Sequence, residues 1–273
     1  MKQLFTFFLV IILITGCNQT PPEIHQVEMG FYTPYFLFAE TLNGKVKTII
    51  EKNYMGVEKD GKYVKDIPLT VKARDSINWT TDFMLTYDEH GNLLYSVDID
   101  ENDKAINSWE INYQDHKMVK CELSSSDTIR VVAKLSYNEA GVLTMIQHFR
   151  MPVDTIAFQA VITSDENGNF TEWQFQNPAG ENTGKYMFTV GLEGKRTGYT
   201  YFNKDGEQTF EQQYTYNENG DMIKQLLIDK ERKKSVSEFE YEGFDEMGNW
   251  LLCSGNADEY MIITERTITY HEE

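Results

Sequence analysis

The sequence predicts an all-β protein, an extended, curved antiparallel meander of about seven two-stranded repeats. Three observations carry that expectation. A corner recipe recurs as "YDEHGN" at Tyr87, "YNEAGV" at Tyr137, "SDENGN" at Ser164, "YNENGD" at Tyr216 and "FDEMGN" at Phe244. Counting the corner glycine or its stand-in, Gly91, Lys117, Gly141, Gly168, Gly194, Gly220 and Gly248 follow one another at intervals of 24 to 28 residues, and a steady period of that size marks a repeat architecture. Between corners the apolar residues alternate with polar ones, as in Phe83, Leu85 and Tyr87 or Val131, Ala133 and Leu135, and no helical stripe appears after residue 80.

Taken in order, residues 1–16 read as a signal peptide. "MKQLFTFFLVIILITGC" carries one lysine, an apolar run from Leu4 to Ile14 and then small residues, a run too short to span a bilayer as a helix. Its end, Ile14-Thr15-Gly16-Cys17, resembles the bacterial lipobox, which implies cleavage before Cys17 and lipid on its sulfur and new amino group. Residues 17–30 are then the lipidated cysteine and a polar, proline-stiffened tether. Cleavage removes Lys2 and leaves 24 basic against 43 acidic residues, a net charge of −19. Residues 31–82 are assigned to lead-in strands and residues 83–273 to the repeat domain.

Within each period a second turn-rich cluster falls midway: "DENDK" at 100, "SSSDT" at 124, "PVDT" at 152, "NPAGEN" at 177, "NKDGE" at 203, "DKERKK" at 229 and "GNADE" at 255. Asn, Asp and Gly suit such places because tight hairpin turns need positive φ. Each period is therefore two strands and two turns, and the Tyr before a corner is the last inward side chain of its strand. Gly91, Gly168, Gly220 and Gly248 are expected at positive φ.

The corner motifs resemble the YD repeats of the RHS family, in the short lipid-anchored form of Gram-negative envelope proteins. "LNGKVKTIIEKNY" at 42 and "VEKDGKYV" at 57 resemble the lead-in to such repeats, while "YQDHKM" and "VGLEGK" depart from the pattern. The resemblance implies a broad curved sheet, no catalytic residues and a place in the cell envelope at the outer membrane.

Composition narrows the function. With 273 residues, 41% hydrophobic and 13% aromatic, the chain can bury a core. A net charge of −18 repels phosphate backbones, so nucleic acid is excluded as a partner. No Gly-x-Ser-x-Gly elbow, His-Glu-x-x-His pair, phosphate loop or Cys-x-x-Cys is present, and nothing calls for a cofactor. Asp98, Asp100 and Asn102 match part of a calcium loop, but Asp103 and Trp109 stand where Gly and Glu are needed. His90 and His116 occupy equivalent corners, and two strand spacings of about 4.8 Å put them too far apart to share a metal. By strict alternation Cys121 and Cys253 point to opposite faces, on the order of 50 Å apart in an open sheet, and stay unpaired and half-buried.

The aromatic residues Trp109, Trp173 and Tyr201 are the candidate contact anchors of a sheet face. Asp75-Ser76-Ile77, Asp127-Thr128-Ile129 and Asp154-Thr155-Ile156 resemble an O-glycosylation sequon of Gram-negative gut bacteria, which makes Ser76, Thr128 and Thr155 candidate acceptors. The functional expectation is a membrane-anchored binding or structural scaffold, held by lipid on Cys17, for a protein or glycan partner. Two alternatives stand beside it: an immunity-like lipoprotein, since such repeats resemble antitoxins of the YwqK family, and a glycan- or peptide-acting enzyme with a hidden carboxylate pair.

Overall fold

A computed structural model describes residues 42–73, 82–125, 128–191, 194–257 and 259–272. Cys17, Ser76 and the segments assigned to signal and tether lie outside the described residues. The strands are β1 (Val46–Lys59), β2 (Lys62–Pro68), β3 (Asp82–Tyr87), β4 (Leu93–Ile99), β5 (Ala105–Gln114), β6 (Lys117–Ser125), β7 (Thr128–Tyr137), β8 (Leu143–Arg150) and β9 (Thr155–Ser164). They continue as β10 (Phe170–Gln176), β11 (Asn182–Val190), β12 (Arg196–Asn203), β13 (Gln208–Tyr216), β14 (Met222–Asp229), β15 (Lys234–Phe244), β16 (Trp250–Ala257) and β17 (Tyr260–Tyr270).

From β3 to β17 each strand pairs antiparallel with the next, as the repeat reading expects. The sheet does not stay open. The first half of β1 pairs with β3 through Thr48–Glu51 on one side, and β1 pairs with β17 from Val46 to Met55 on the other. The result is a closed 16-stranded antiparallel barrel in place of the extended meander, with β2 hydrogen-bonded to the far end of β1 as one strand outside the ring. An antiparallel ring closes only with an even number of strands, and leaving β2 out meets that condition.

The corners show why the recipe recurs. At the first, Gly91 N donates to Asp88 O at 3.1 Å and Asp88 N to Asn92 O at 2.9 Å. The Asp88 carboxylate accepts from His90 N, Asn92 N and Asn92 Nδ2 at 2.8 to 2.9 Å. The mid-period turns reuse the device, with Asn177 and Asn203 in the place of Asp88. Gly91, Gly168, Gly220 and Gly248 stand at φ of 82° to 92°, where a β-branched residue is strained. Lys117 is no corner: the turn is Asp115-His116, both at positive φ, and Lys117 opens β6.

Tyrosines near the ends of their strands point inward and do more than fill space. The hydroxyls of Tyr113, Tyr137, Tyr216 and Tyr241 donate to the backbone carbonyls of Leu93, Met118, Arg196 and Met222 at 2.7 to 3.1 Å, each 19 or 20 residues back. Each ties its strand to the start of the one before it, its paired neighbour, and satisfies a hydroxyl at the rim of the core.

Register separates the two faces of the wall. One continuous row runs Ile111, Cys121, Ala133, His148, Phe158, and another runs Trp173, Tyr186, Tyr201, Phe210. These side chains are buried and form one core that runs round the barrel. The ring encloses them, so they line its inner face. Gly184 is part of the fit, since a Cβ there would lie 2.3 Å from the Tyr201 hydroxyl. The opposite face is mixed: polar rows such as Lys134, Gln147, Gln159, Gln176 and Glu172, Met187, Thr200, Glu211, the second interrupted by Met187, run beside apolar pairs such as Val132 with Phe149.

Candidate functional site

Two regions of the barrel concentrate polar groups, one inside and one outside. The inner one lies at the closing seam. Arg266 on β17 donates to Glu51 on β1 from Nε at 2.7 Å, with Nη2 at 2.6 Å from the same oxygen, and its guanidinium lies 3.5 Å from the Trp250 ring centre. Next to it, Thr264 Oγ1 donates to Asn53 Oδ1 at 2.8 Å, while Asn53 N and Nδ2 donate to Asp82 Oδ1 at 2.9 and 3.1 Å. Asn107 Nδ2 reaches Asp98 Oδ2 at 3.3 Å on the same face. All the carboxylates here have donors, which is how buried charge is tolerated. The cluster fastens the seam and presents no acid pair aimed at a substrate.

The outer region is a depression of about 310 Å³ across β11, β12 and β13. Gly198 forms its floor because a Cβ there would meet Gln212 O at 2.4 Å. Thr189, Thr200, Glu211, Gln213 and Thr215 surround that bare backbone. Glu211 accepts from Gln213 Nε2 at 2.6 Å and Gln208 Nε2 at 3.3 Å, so one carboxylate and several hydroxyls face water on a rigid sheet. Sequence reasoning missed it. A glycine inside a strand pattern was the available signal.

The proposed contact anchors lie on the inner face: Trp109, Trp173 and Tyr201 are 5%, 1% and 5% exposed, so none offers itself to a partner on the outer wall. Register puts all three on one face of the wall, and closure makes that face the inside. Thr128 and Thr155 are exposed at the starts of β7 and β9. Asp100 accepts from the backbone of Asn102 and Lys104, and Asp98 points inward, so the partial calcium loop is an ordinary turn. Among the described residues no group of three or more His, Cys, Asp or Glu is placed to hold a metal.

The two cysteines are thiols, buried rather than half-buried. They share the inner face, against the expectation, because the true turn ends at His116 and both therefore stand five residues past their corners. Burial pushes the Cys121 thiol up to about 12, so it is inert at neutral pH. The His90 and His116 rings also depart from expectation: their centres are 5.7 Å apart.

No family model matches the chain, and no curated protein does. Among solved structures, a porin-like protein from Bacteroides uniformis aligns with a TM-score of 0.50 at 10% identity, over 84% of this chain and 99% of that one. A porin-like protein from Bacteroides vulgatus aligns over the same shares with a TM-score of 0.36 at 7% identity. The first likeness concerns fold, and with the closed ring it corrects the RHS resemblance: the corner motifs are hairpin chemistry in a barrel wall, not evidence of an open YD-repeat sheet.

Proposed function

We propose that the protein is a barrel immersed in water and tied to the envelope by lipid on Cys17, which holds a protein or glycan partner against its outer wall. The observation that carries this reading is the charge set on the wall. Outward residues include the ion pairs Lys185–Glu172, Lys120–Glu122 and Lys224–Glu238. A lipid-facing band would be apolar, and each Lys or Arg at mid-bilayer would cost about 2–4 kcal/mol. The inner face argues equally against an aqueous channel, because a water-filled lumen would wet Ile146, Phe175 and Trp173, which are at most 1% exposed. With the aromatics turned inward, the depression over Gly198 is the contact surface proposed, and its hydroxyls, carboxylate and amides suit a polyhydroxylated ligand.

The test is capture. Immobilised wild-type protein should retain a glycan or envelope component, and Glu211→Ala with Gln213→Ala should weaken retention at least tenfold, while Glu110→Ala on a distant part of the wall changes nothing. Retention indifferent to both depression variants would sink the site, and ion conductance in a planar bilayer would sink the reading itself. For the anchor, Cys17→Ala should abolish both palmitate labelling and detergent partitioning. Thr128 and Thr155 are the acceptors at which intact-mass and peptide analysis should find O-glycan.

A further inference from the structure

We infer that His90 and His116 form a chelating site for a first-row divalent transition metal at the rim of the barrel. The two residues sit in neighbouring hairpins, His90 in the turn between β3 and β4 and His116 in the turn between β5 and β6. Both are exposed. Their ring centres are 5.7 Å apart with planes at 87°. An imidazole nitrogen binds zinc at about 2.1 Å and lies about 1.2 Å from its own ring centre, so two rings on one ion have centres about 5.4 Å apart at a tetrahedral angle and about 6.6 Å apart when opposed. The observed separation falls inside that span. Perpendicular planes let each ring aim one nitrogen at a shared ion after rotation about its own side chain.

The backbone holds both residues in place. His90 N donates to the Asp88 carboxylate at 2.9 Å inside the corner, and His116 is fixed at φ 61°. Among the described residues neither imidazole takes part in a hydrogen bond or ion pair, so binding an ion breaks no such bond. Two imidazoles with water completing the shell suit Cu²⁺, Ni²⁺ and Zn²⁺ and are poor ligands for Mg²⁺ or Ca²⁺. The net charge of −18 adds a general attraction for cations.

The test uses the full chain purified in detergent and titrated calorimetrically with ZnCl₂ in excess MgCl₂, and separately passed untagged over a Ni²⁺ column. One ion per chain should bind despite the Mg²⁺. His90→Asn and His116→Asn, the latter suited to positive φ, should each weaken binding at least tenfold and abolish column retention, with circular dichroism unchanged. His271→Asn should leave both intact. Loss of Zn²⁺ binding in excess Mg²⁺ would assign the ion to surface carboxylates and overturn the site, as would undiminished affinity in both histidine variants.

Discussion

His148 gives the protein a calculable acid sensitivity. Its ring is wholly buried and stacks on Phe158, with centres 4.2 Å apart and planes 16° from parallel. Burial holds the imidazole neutral and its pKa down to about 3, from an ordinary 6.5. Below about pH 6.5 the unfolded chain takes up a proton that the folded chain refuses, so stability is full above that pH and drains away as pH falls toward 3. Between pH 7.5 and pH 5 the loss from this one group is about 2 kcal/mol, reaching its limit only near the folded pKa. Carboxylates hardly enter that window, since their unfolded values lie near 4. Urea unfolding followed by tryptophan fluorescence at the two pH values measures it. His148→Leu, apolar and of similar volume, should shrink the pH dependence by about 2 kcal/mol whatever it does to stability at pH 7.5. Parallel pH dependences in wild type and variant would refute the argument.

Three further outcomes follow from the wall and its seam. Gly91→Val and Gly168→Val, where nothing lies within 4 Å of the added Cβ, should each destabilise by roughly 1 kcal/mol or more through backbone strain alone; thermal unfolding checks this. Tyr216→Phe and Tyr241→Phe remove the ties to Arg196 and Met222 and should each lower stability by about 1 kcal/mol without changing the circular dichroism spectrum. Arg266→Met leaves the Glu51 carboxylate buried beside Trp250 and should destabilise by about 3–5 kcal/mol in urea titrations. Arg266→Met with Glu51→Leu should recover much of that loss, and an additive double variant would refute the pairing.

The grammar of the wall was legible in the sequence, because a hairpin is a local decision. Asp88, Gly91 and Asn92 build their turn from their own side chains, and Tyr87 faces inward by simple alternation. Closure was not legible. It depends on Thr48–Glu51 finding β3 and on Val46–Met55 finding β17, which no periodicity announces. Which face became the interior hung on that same event, and it turned Trp109, Trp173 and Tyr201 from expected contact anchors into core. The cysteines were misplaced by one residue of turn: Asp115-His116 is a two-residue loop, so counting from Lys117 shifted the parity of β6. The histidine distance failed for another reason, since strand spacing measures backbone and both side chains reach across the gap.

The seam where β1 meets β17 makes the order of synthesis matter. Its pairing joins partners such as Glu51 and Arg266, 215 positions apart, and closing a loop of that length carries an entropy of about 5 kcal/mol that local hairpins never face. Until β17 has been made, β1 and β16 are raw edges, each a template for any passing strand. A chain cut short after Ala257 would keep its hairpins and leave two edges uncovered, so it should aggregate more readily than a chain that carries β17. The eleven residues of β17, Tyr260 to Tyr270, thus decide whether hairpins already made become a ring without edges.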